Sequence, residues 1–148
     1  MAVPVSAGLL ADIDGYCAAL TAYRAGDVSP IVRAFANAAL RAVSNTRQLV
    51  EEIETMVESW NHKLMARKSS NAWRILDLTA QRPVIDSATA ALELGVKQPN
   101  VYPPLKALVD AGILSSKAEH NLRPFWRSDE ILGATDQFAK RAGHRQKS

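Results

Sequence analysis

Residues 31–66 contain neither proline nor glycine, and this stretch limits the possible fold more than any other part of the sequence. Apolar side chains recur through it every three or four positions, as one face of an α-helix requires. Ser29 and Pro30 precede it, a pair suited to the cap and the first position of a helix. We therefore predict one helix of about 35 residues, roughly 50 Å long at 1.5 Å per residue. The polar residues 44–46 are the place where it could break.

A second helix is predicted before the long one, from a cap at Ser6 to a stop near Gly26. Its apolar positions also form one broad face, and Cys17 lies on that face. We expect Cys17, the only cysteine, to be a buried and inert thiol. One short partner cannot cover the long helix, so we expect exposed apolar surface that a second copy of the chain could cover.

Residues 82–127 have the layout of a winged helix-turn-helix, beginning with a capped helix and a tight turn. Asp86 can accept a hydrogen bond from the first free amides of a short helix over residues 87–94. Gly95 follows that helix and can adopt the left-handed conformation that a turn needs. The pattern predicts the first half of a helix-turn-helix motif.

The second half of the motif is a helix crowded by prolines at its start. Proline beyond the first turn of a helix costs about 3 kcal/mol, so we place the start near Tyr102 or Pro103 and leave residues 97–101 as a loop. Residues 113–118 and 122–127 are two short runs around a polar break, which predicts a two-stranded ribbon. That ribbon would be the wing.

The predicted fold class is mainly α, with two N-terminal helices followed by a winged helix-turn-helix, a small β-ribbon wing and a C-terminal helix. We divide the chain into a helical segment over residues 1–66, a polar linker over 67–71 and a winged helix domain over 72–148. The C-terminal helix is expected to begin after a cap at Ser128 and to end at Gly143. A basic tail follows it.

The composition argues against a membrane protein and against a secreted protein. The sequence has no apolar run of about 18 residues and no basic segment followed by an apolar core, so we expect neither a membrane span nor a signal peptide. A single cysteine allows no internal disulfide and agrees with the reducing cytoplasm, where we place the protein. The formal charge is only +3, and the basic excess begins at the predicted linker.

The order of several short pieces resembles the C-terminal part of Fic-family proteins. These pieces are PVSAGLLADIDGYCAALTAYRAGDVSPIVRAFANAAL, SNAWRILDLTAQRPVI, LGV, LVDAGIL, FWRSDEIL and DQFAKRAGHR, which together span nearly the whole chain. Fic-family proteins of this kind are bacterial, and in them a catalytic domain precedes a winged helix. The resemblance implies that residues 6–66 are similar to the helices that complete the Fic helical bundle after its catalytic loop.

The chain departs from that family in one important respect. Catalytic Fic domains carry a loop of the type HPFxDGNGR, and nothing like it occurs here. The three histidines stand in NHK, EHN and GHR, none of which is followed by a glycine-rich anion nest. We expect no enzymatic activity, no catalytic residue, no metal site and no cofactor. The chain would be an excised C-terminal piece, a truncated gene product or half of a split protein.

Double-stranded DNA is the leading candidate partner, because the second helix of this motif enters the major groove and its N-terminal residues meet base edges. With only one basic residue on that helix, a monomer would bind weakly, and a homodimer would double the phosphate contacts. A homodimer or association with a Fic catalytic region is therefore expected, and the alternative function is a protein-interaction or dimerisation module that does not bind DNA. We interpret the aromatic side chains at positions 60, 73, 125 and 126 as packing residues. The candidate DNA contacts are Lys97, Gln98, Asn100, Tyr102 and Lys106 on the helix and its preceding turn, and Lys117, His120, Asn121, Arg123 and Arg127 on and beside the wing.

Overall fold

The computed structural model describes residues 5–117 and 124–143, and the chain there is mainly helical with a small three-stranded antiparallel sheet. None of the helices in these two ranges is both long enough and apolar enough to cross a membrane. The helices are α1 (Val5–Leu10), α2 (Ile13–Arg24), α3 (Ser29–Lys63), α4 (Asn71–Gln81), α5 (Ser87–Leu94), α6 (Tyr102–Asp110) and α7 (Asp129–Gly143), and the strands are β1 (Val84–Asp86), β2 (Ser115–Lys117) and β3 (Phe125–Arg127).

The long helix α3 has the predicted length of 35 residues and runs through its polar middle without a break. The Thr46 hydroxyl donates a hydrogen bond to the Ala42 carbonyl at 2.7 Å, so this polar side chain is satisfied without interrupting the helix. The predicted cap was wrong. Ser29 is the first helical residue, and its amide donates to the Asp27 carboxylate at 3.1 Å.

The chain forms two compact units, which do not follow the predicted boundary at residues 67–71. The first unit comprises Met1–Glu51 and Thr135–Ser148, and the second comprises Glu52–Ala134. The division falls within α3 because Trp60, in its last turn, and Leu64, just after it, are buried in the core of the second unit.

In the first unit, the predicted N-terminal helix is interrupted, and α1 and α2 replace it. Asp12 causes the interruption because its carboxylate accepts a hydrogen bond from the Gly15 amide at 2.9 Å and caps α2. Ser6, the predicted cap, lies inside α1. The expectation of a buried Cys17 was also wrong, since this thiol is exposed.

Small residues form the buried part of the first unit. Gly8 of α1 lies so close to α3 that a Cβ atom at this position would collide with the Ala38 carbonyl oxygen. The Arg41 guanidinium donates to the Gly8 carbonyl at 3.0 Å and holds the two helices together. As expected, large apolar side chains are left exposed, and on α1–α3 and the connection between α2 and α3 they are Leu10, Ile13, Tyr23, Val28, Val32, Phe35, Leu40 and Val43.

In the second unit, the predicted linker is an ordered turn. Ser70 caps α4 by accepting a hydrogen bond from the Ala72 amide at 3.2 Å. The indole N–H of Trp73, in the first turn of α4, lies 3.0 Å from the Arg67 carbonyl and 3.3 Å from the Ala66 carbonyl. These hydrogen bonds tie the residues that follow α3 to the start of α4, so the predicted linker does not separate the two helices.

The sheet has three strands, one more than the predicted ribbon, in the order β1-β3-β2. Both pairings are antiparallel, and Trp126 in the central strand is opposite Ile85 on one side and Ser116 on the other. After the sheet, Ser128 caps α7 as predicted, with the Ile131 amide donating to its hydroxyl oxygen at 3.4 Å. The core of this unit includes Trp60, Ile75, Leu76, Ile85, Leu94, Val101, Leu105, Leu108, Ile113, Trp126 and Ile131.

Candidate nucleic-acid interface

The two helices α5 and α6 are joined by the turn that the sequence predicts. The Asp86 carboxylate accepts a hydrogen bond from the Thr89 amide at 2.7 Å and fixes the start of α5. Gly95 ends the helix in the left-handed conformation, with φ of 66°. The amide of Val96 then donates to the Ala91 carbonyl at 3.1 Å, which closes the end of α5.

The segment before α6 is more ordered than predicted. Residues Gln98–Val101 form a short 3-10 helix, and Val101 anchors it because this side chain is completely buried. α6 begins at Tyr102, as predicted. Pro103 and Pro104 lie in its first turn, where the missing amide hydrogens have no helical acceptor to lose.

The five predicted contact residues between Lys97 and Lys106 are all exposed. Two of them contact one buried hydroxyl, that of Ser87. The Gln98 amide donates to Ser87 Oγ at 2.6 Å, and the Tyr102 hydroxyl makes a weaker contact of 3.5 Å with the same oxygen. Lys97 and Asn100 are exposed between α5 and α6. Sequence reasoning missed Ser87, although its place in the first turn of α5 indicates a polar role.

Lys106 projects from α6 but is engaged in an ion pair. Its Nζ atom lies 2.6 Å from Asp110 Oδ2, one helical turn further along. Both side chains are more than half exposed, at 74% and 62%. A pair this exposed contributes only about 0.3–0.5 kcal/mol, so Lys106 can exchange Asp110 for another anion at little cost.

Arg127 is not brought together with the residues of α6. It follows the buried Trp126 in β3, and successive side chains of a strand point to opposite faces of the sheet. Its Nε atom lies 2.7 Å from Asp129 Oδ1, at the start of α7. This strand alternation could have excluded Arg127 from the α6 face at the sequence level. Lys117 is the last residue of β2, and His120, Asn121 and Arg123 lie outside the described residues.

A groove beside α6 was missed from the sequence. It has a volume of about 680 Å³ and lies between α6 and the β2 and β3 strands. Tyr102 and Trp126 meet within it edge to face, with ring centroids 5.9 Å apart. We call this the α6 groove, and its described lining residues are Pro99, Tyr102, Pro103, Lys106, Val109, Ser116, Pro124 and Trp126.

No local pattern in the sequence indicates this groove. Pro99 and Pro103 indicate only where a helix cannot continue, and an aromatic residue such as Trp126 in a short apolar run indicates packing. Trp126 is indeed 93% buried, since 7% of its surface is exposed. The expectation of packing is also confirmed for Trp60, which is completely buried.

Side chains suited to metal binding do not cluster in the described ranges, where no group of three or more His, Cys, Asp or Glu residues is arranged to hold an ion. Comparison with known proteins adds no assignment to this geometry. The chain matches no protein-family model, and no curated protein matches its sequence.

Proposed function

We propose that this chain is a non-catalytic regulatory C-terminal region of a Fic-family protein, and that its second unit contains a winged helix-turn-helix that binds double-stranded DNA. One observation carries the DNA-binding proposal. The elements α4, β1, α5, α6, β2 and β3 follow one another in a single compact unit. The exposed N-terminal end of α6 lies across a groove from the β2 and β3 strands. The Fic assignment rests on the resemblance of the sequence alone.

In this proposal α6 and the turn before it enter the major groove of DNA. Asn100 is suited to adenine, because its amide can both donate to and accept from the base edge. Lys97 and Lys106 would meet phosphates or guanine. Gln98 would reach a base only after giving up its 2.6 Å hydrogen bond to Ser87, so it is the weaker candidate for base recognition.

The charge of the second unit implies weak binding by a single copy. Residues 52–134 contain ten Lys or Arg and ten Asp or Glu residues, so the unit as a whole is neutral. Affinity for DNA depends mainly on the number of phosphates neutralised by cations. Because the unit is neutral overall, affinity for DNA would have to come from the few cations at the docking face. The wing would add Lys117 and Arg123 to them. Two copies bound side by side would double the contacts.

The proposal is tested by titrating random duplex DNA at about 50 and 200 mM salt, where nonspecific binding is strongly salt-dependent. The variant Lys97→Glu with Lys106→Glu should bind at least tenfold more weakly and show a shallower salt dependence, by about 0.9 in the logarithmic slope for each lysine that contacts a phosphate. Lys68→Glu with Arg67→Glu applies the same charge change before α4 as a control. Equal losses for both variants would indicate a general charge effect and refute docking through α6.

A second candidate function, self-association, is favoured by the exposed apolar residues of the first unit. Val32 and Phe35 are 59% and 45% exposed and lie about one turn apart on α3. Apolar patches of this kind are common at protein interfaces. Association with a Fic catalytic region through the same residues is part of this candidate.

Light scattering on the purified chain tests self-association. Val32→Glu should convert a dimer into a monomer, because a charge at the interface would be buried without a partner. Leu92→Glu is the control, since Leu92 is 81% exposed on α5 in the other unit. A chain that stays monomeric at high concentration contradicts self-association.

A further inference from the structure

The α6 groove has the size and lining of a small-molecule site. Sites for small ligands are typically concave, about 300–1,000 Å³ in volume and largely apolar with a few polar groups. The α6 groove, at about 680 Å³, lies in the middle of that range. We propose that it binds a small organic anion with a flat apolar body and one carboxylate.

The walls of the groove determine the apolar part of the ligand. Pro99, Pro103 and Pro124 present rigid rings, which lose little conformational entropy when a ligand is bound. Tyr102 is 43% exposed and offers part of an aromatic ring, held in place by its edge-to-face contact with Trp126. A flat hydrocarbon ring packs against such surfaces better than a flexible chain does.

The polar groups of the groove determine which charge the ligand should carry. Lys106 is the only charged residue among the described lining residues, and no carboxylate lines the groove with it. Its partner Asp110 is exposed and exchangeable, so a ligand carboxylate can take the place of Asp110 beside Nζ. The Ser116 hydroxyl, also exposed in the lining, can donate a second hydrogen bond. An anion is therefore preferred over a neutral ligand or a cation.

The ligand site does not depend on DNA binding, although Tyr102 and Lys106 belong to both surfaces. A ligand in the groove would cover part of the face that we propose for DNA. Ligand binding can be measured without DNA, so failure of one proposal can be distinguished from failure of the other.

Titration of the full chain with 2-naphthoate, followed by proton–nitrogen NMR, tests the proposal. A ligand of this size should bind with a Kd on the order of 1 mM. Saturable shifts are expected at the Trp126 indole signal and at the amides of Tyr102 and Val109. 2-Naphthamide, which has the same shape and no charge, should bind about fivefold more weakly.

Three variants separate the contributions of charge and shape. Lys106→Gln should weaken 2-naphthoate about fivefold and leave 2-naphthamide unchanged, whereas Lys97→Gln, outside the lining, should change neither. Ser116→Phe places a ring in the groove from an exposed position and should abolish both. Equal affinity for the two probes overturns the anion preference, and binding that survives Ser116→Phe, or no saturable shift at groove residues, overturns the site.

Discussion

Replacing Glu130 with alanine would remove the hydrogen-bond acceptor of a completely buried tryptophan. The Trp60 indole N–H donates to Glu130 Oε2 at 2.7 Å, and the other carboxylate oxygen lies 3.3 Å from Lys63 Nζ. Glu130 is also in the first turn of α7, where a negative charge interacts favourably with the helix dipole. The substitution therefore removes three interactions of different strength.

The buried hydrogen bond should dominate the cost. A buried donor left without an acceptor costs about 1–3 kcal/mol. The ion pair with Lys63 is worth about 0.3 kcal/mol, since its side chains are 45% and 40% exposed. The helix dipole adds about 0.3–1 kcal/mol. Water can partly replace the exposed carboxylate, so we expect the free energy of unfolding to fall by about 2 kcal/mol for Glu130→Ala.

Two further variants divide this total between its sources. Glu130→Gln keeps an acceptor for the Trp60 indole and loses only the charge, so it should cost about 1 kcal/mol. Lys63→Ala removes the exposed ion pair and a favourable cation in the last turn of α3, and should cost less than about 1 kcal/mol. The expected order of destabilisation is Glu130→Ala, then Glu130→Gln, then Lys63→Ala.

Urea unfolding followed by tryptophan fluorescence measures these changes. Trp60, Trp73 and Trp126 all lie in Glu52–Ala134, so their emission follows the second unit alone. Midpoints at a common slope give the differences in unfolding free energy. If Glu130→Ala costs no more than Lys63→Ala, the indole hydrogen bond contributes nothing and the reasoning is refuted.

Three other predictions concern the first unit and the α5 cap. Gly8→Ala should speed amide hydrogen exchange in α1, because the added Cβ would collide with the Ala38 carbonyl. Gly133→Ala, with open space around its Cβ, should leave amide exchange in α7 unchanged or slightly slower. Similar exchange for both variants would contradict the close approach. Asp86→Ala should lower the urea midpoint of the second unit by an amount equivalent to about 1 kcal/mol, and Asp86→Asn should restore most of it; equal losses would exclude the cap as the cause. Cys17 should react with an aromatic disulfide reagent in the native protein at within about tenfold of the unfolded rate, and strong protection would contradict its exposure.

Local signals in the sequence predicted the elements that depend on neighbouring residues. The length of α3 follows from an unbroken apolar period, and the start of α6 at Tyr102 follows from its prolines. The Asp86 cap and the turn at Gly95 follow from residue types with one strong conformational preference each. Each of these features is stabilised by bonds within a few positions along the chain.

The features that the sequence did not predict arise where two local conformations compete, or where residues far apart in the chain meet. Asp12 had a helical pattern on both sides, and only the structure shows that its bond to Gly15 wins over continuation of the helix. β1 has three residues and exists through its pairing with β3, about 40 positions away. The α6 groove likewise requires Pro99 and Pro124 to meet in space. No periodicity in the sequence encodes such a meeting.

Asn45, in the polar middle of α3, sets the alignment of two helices in the first unit. Its amide nitrogen donates to the Phe138 carbonyl at 3.2 Å, and its amide oxygen accepts from Arg141 Nε at 2.7 Å. Apolar contacts alone fix the alignment of two helices less strictly, because the hydrophobic effect has no directional preference. These two hydrogen bonds do not, since a shift of α7 by one turn, about 5.4 Å, would break both. The polar residue that looked like the weakest point of α3 thus gives this pairing a single register.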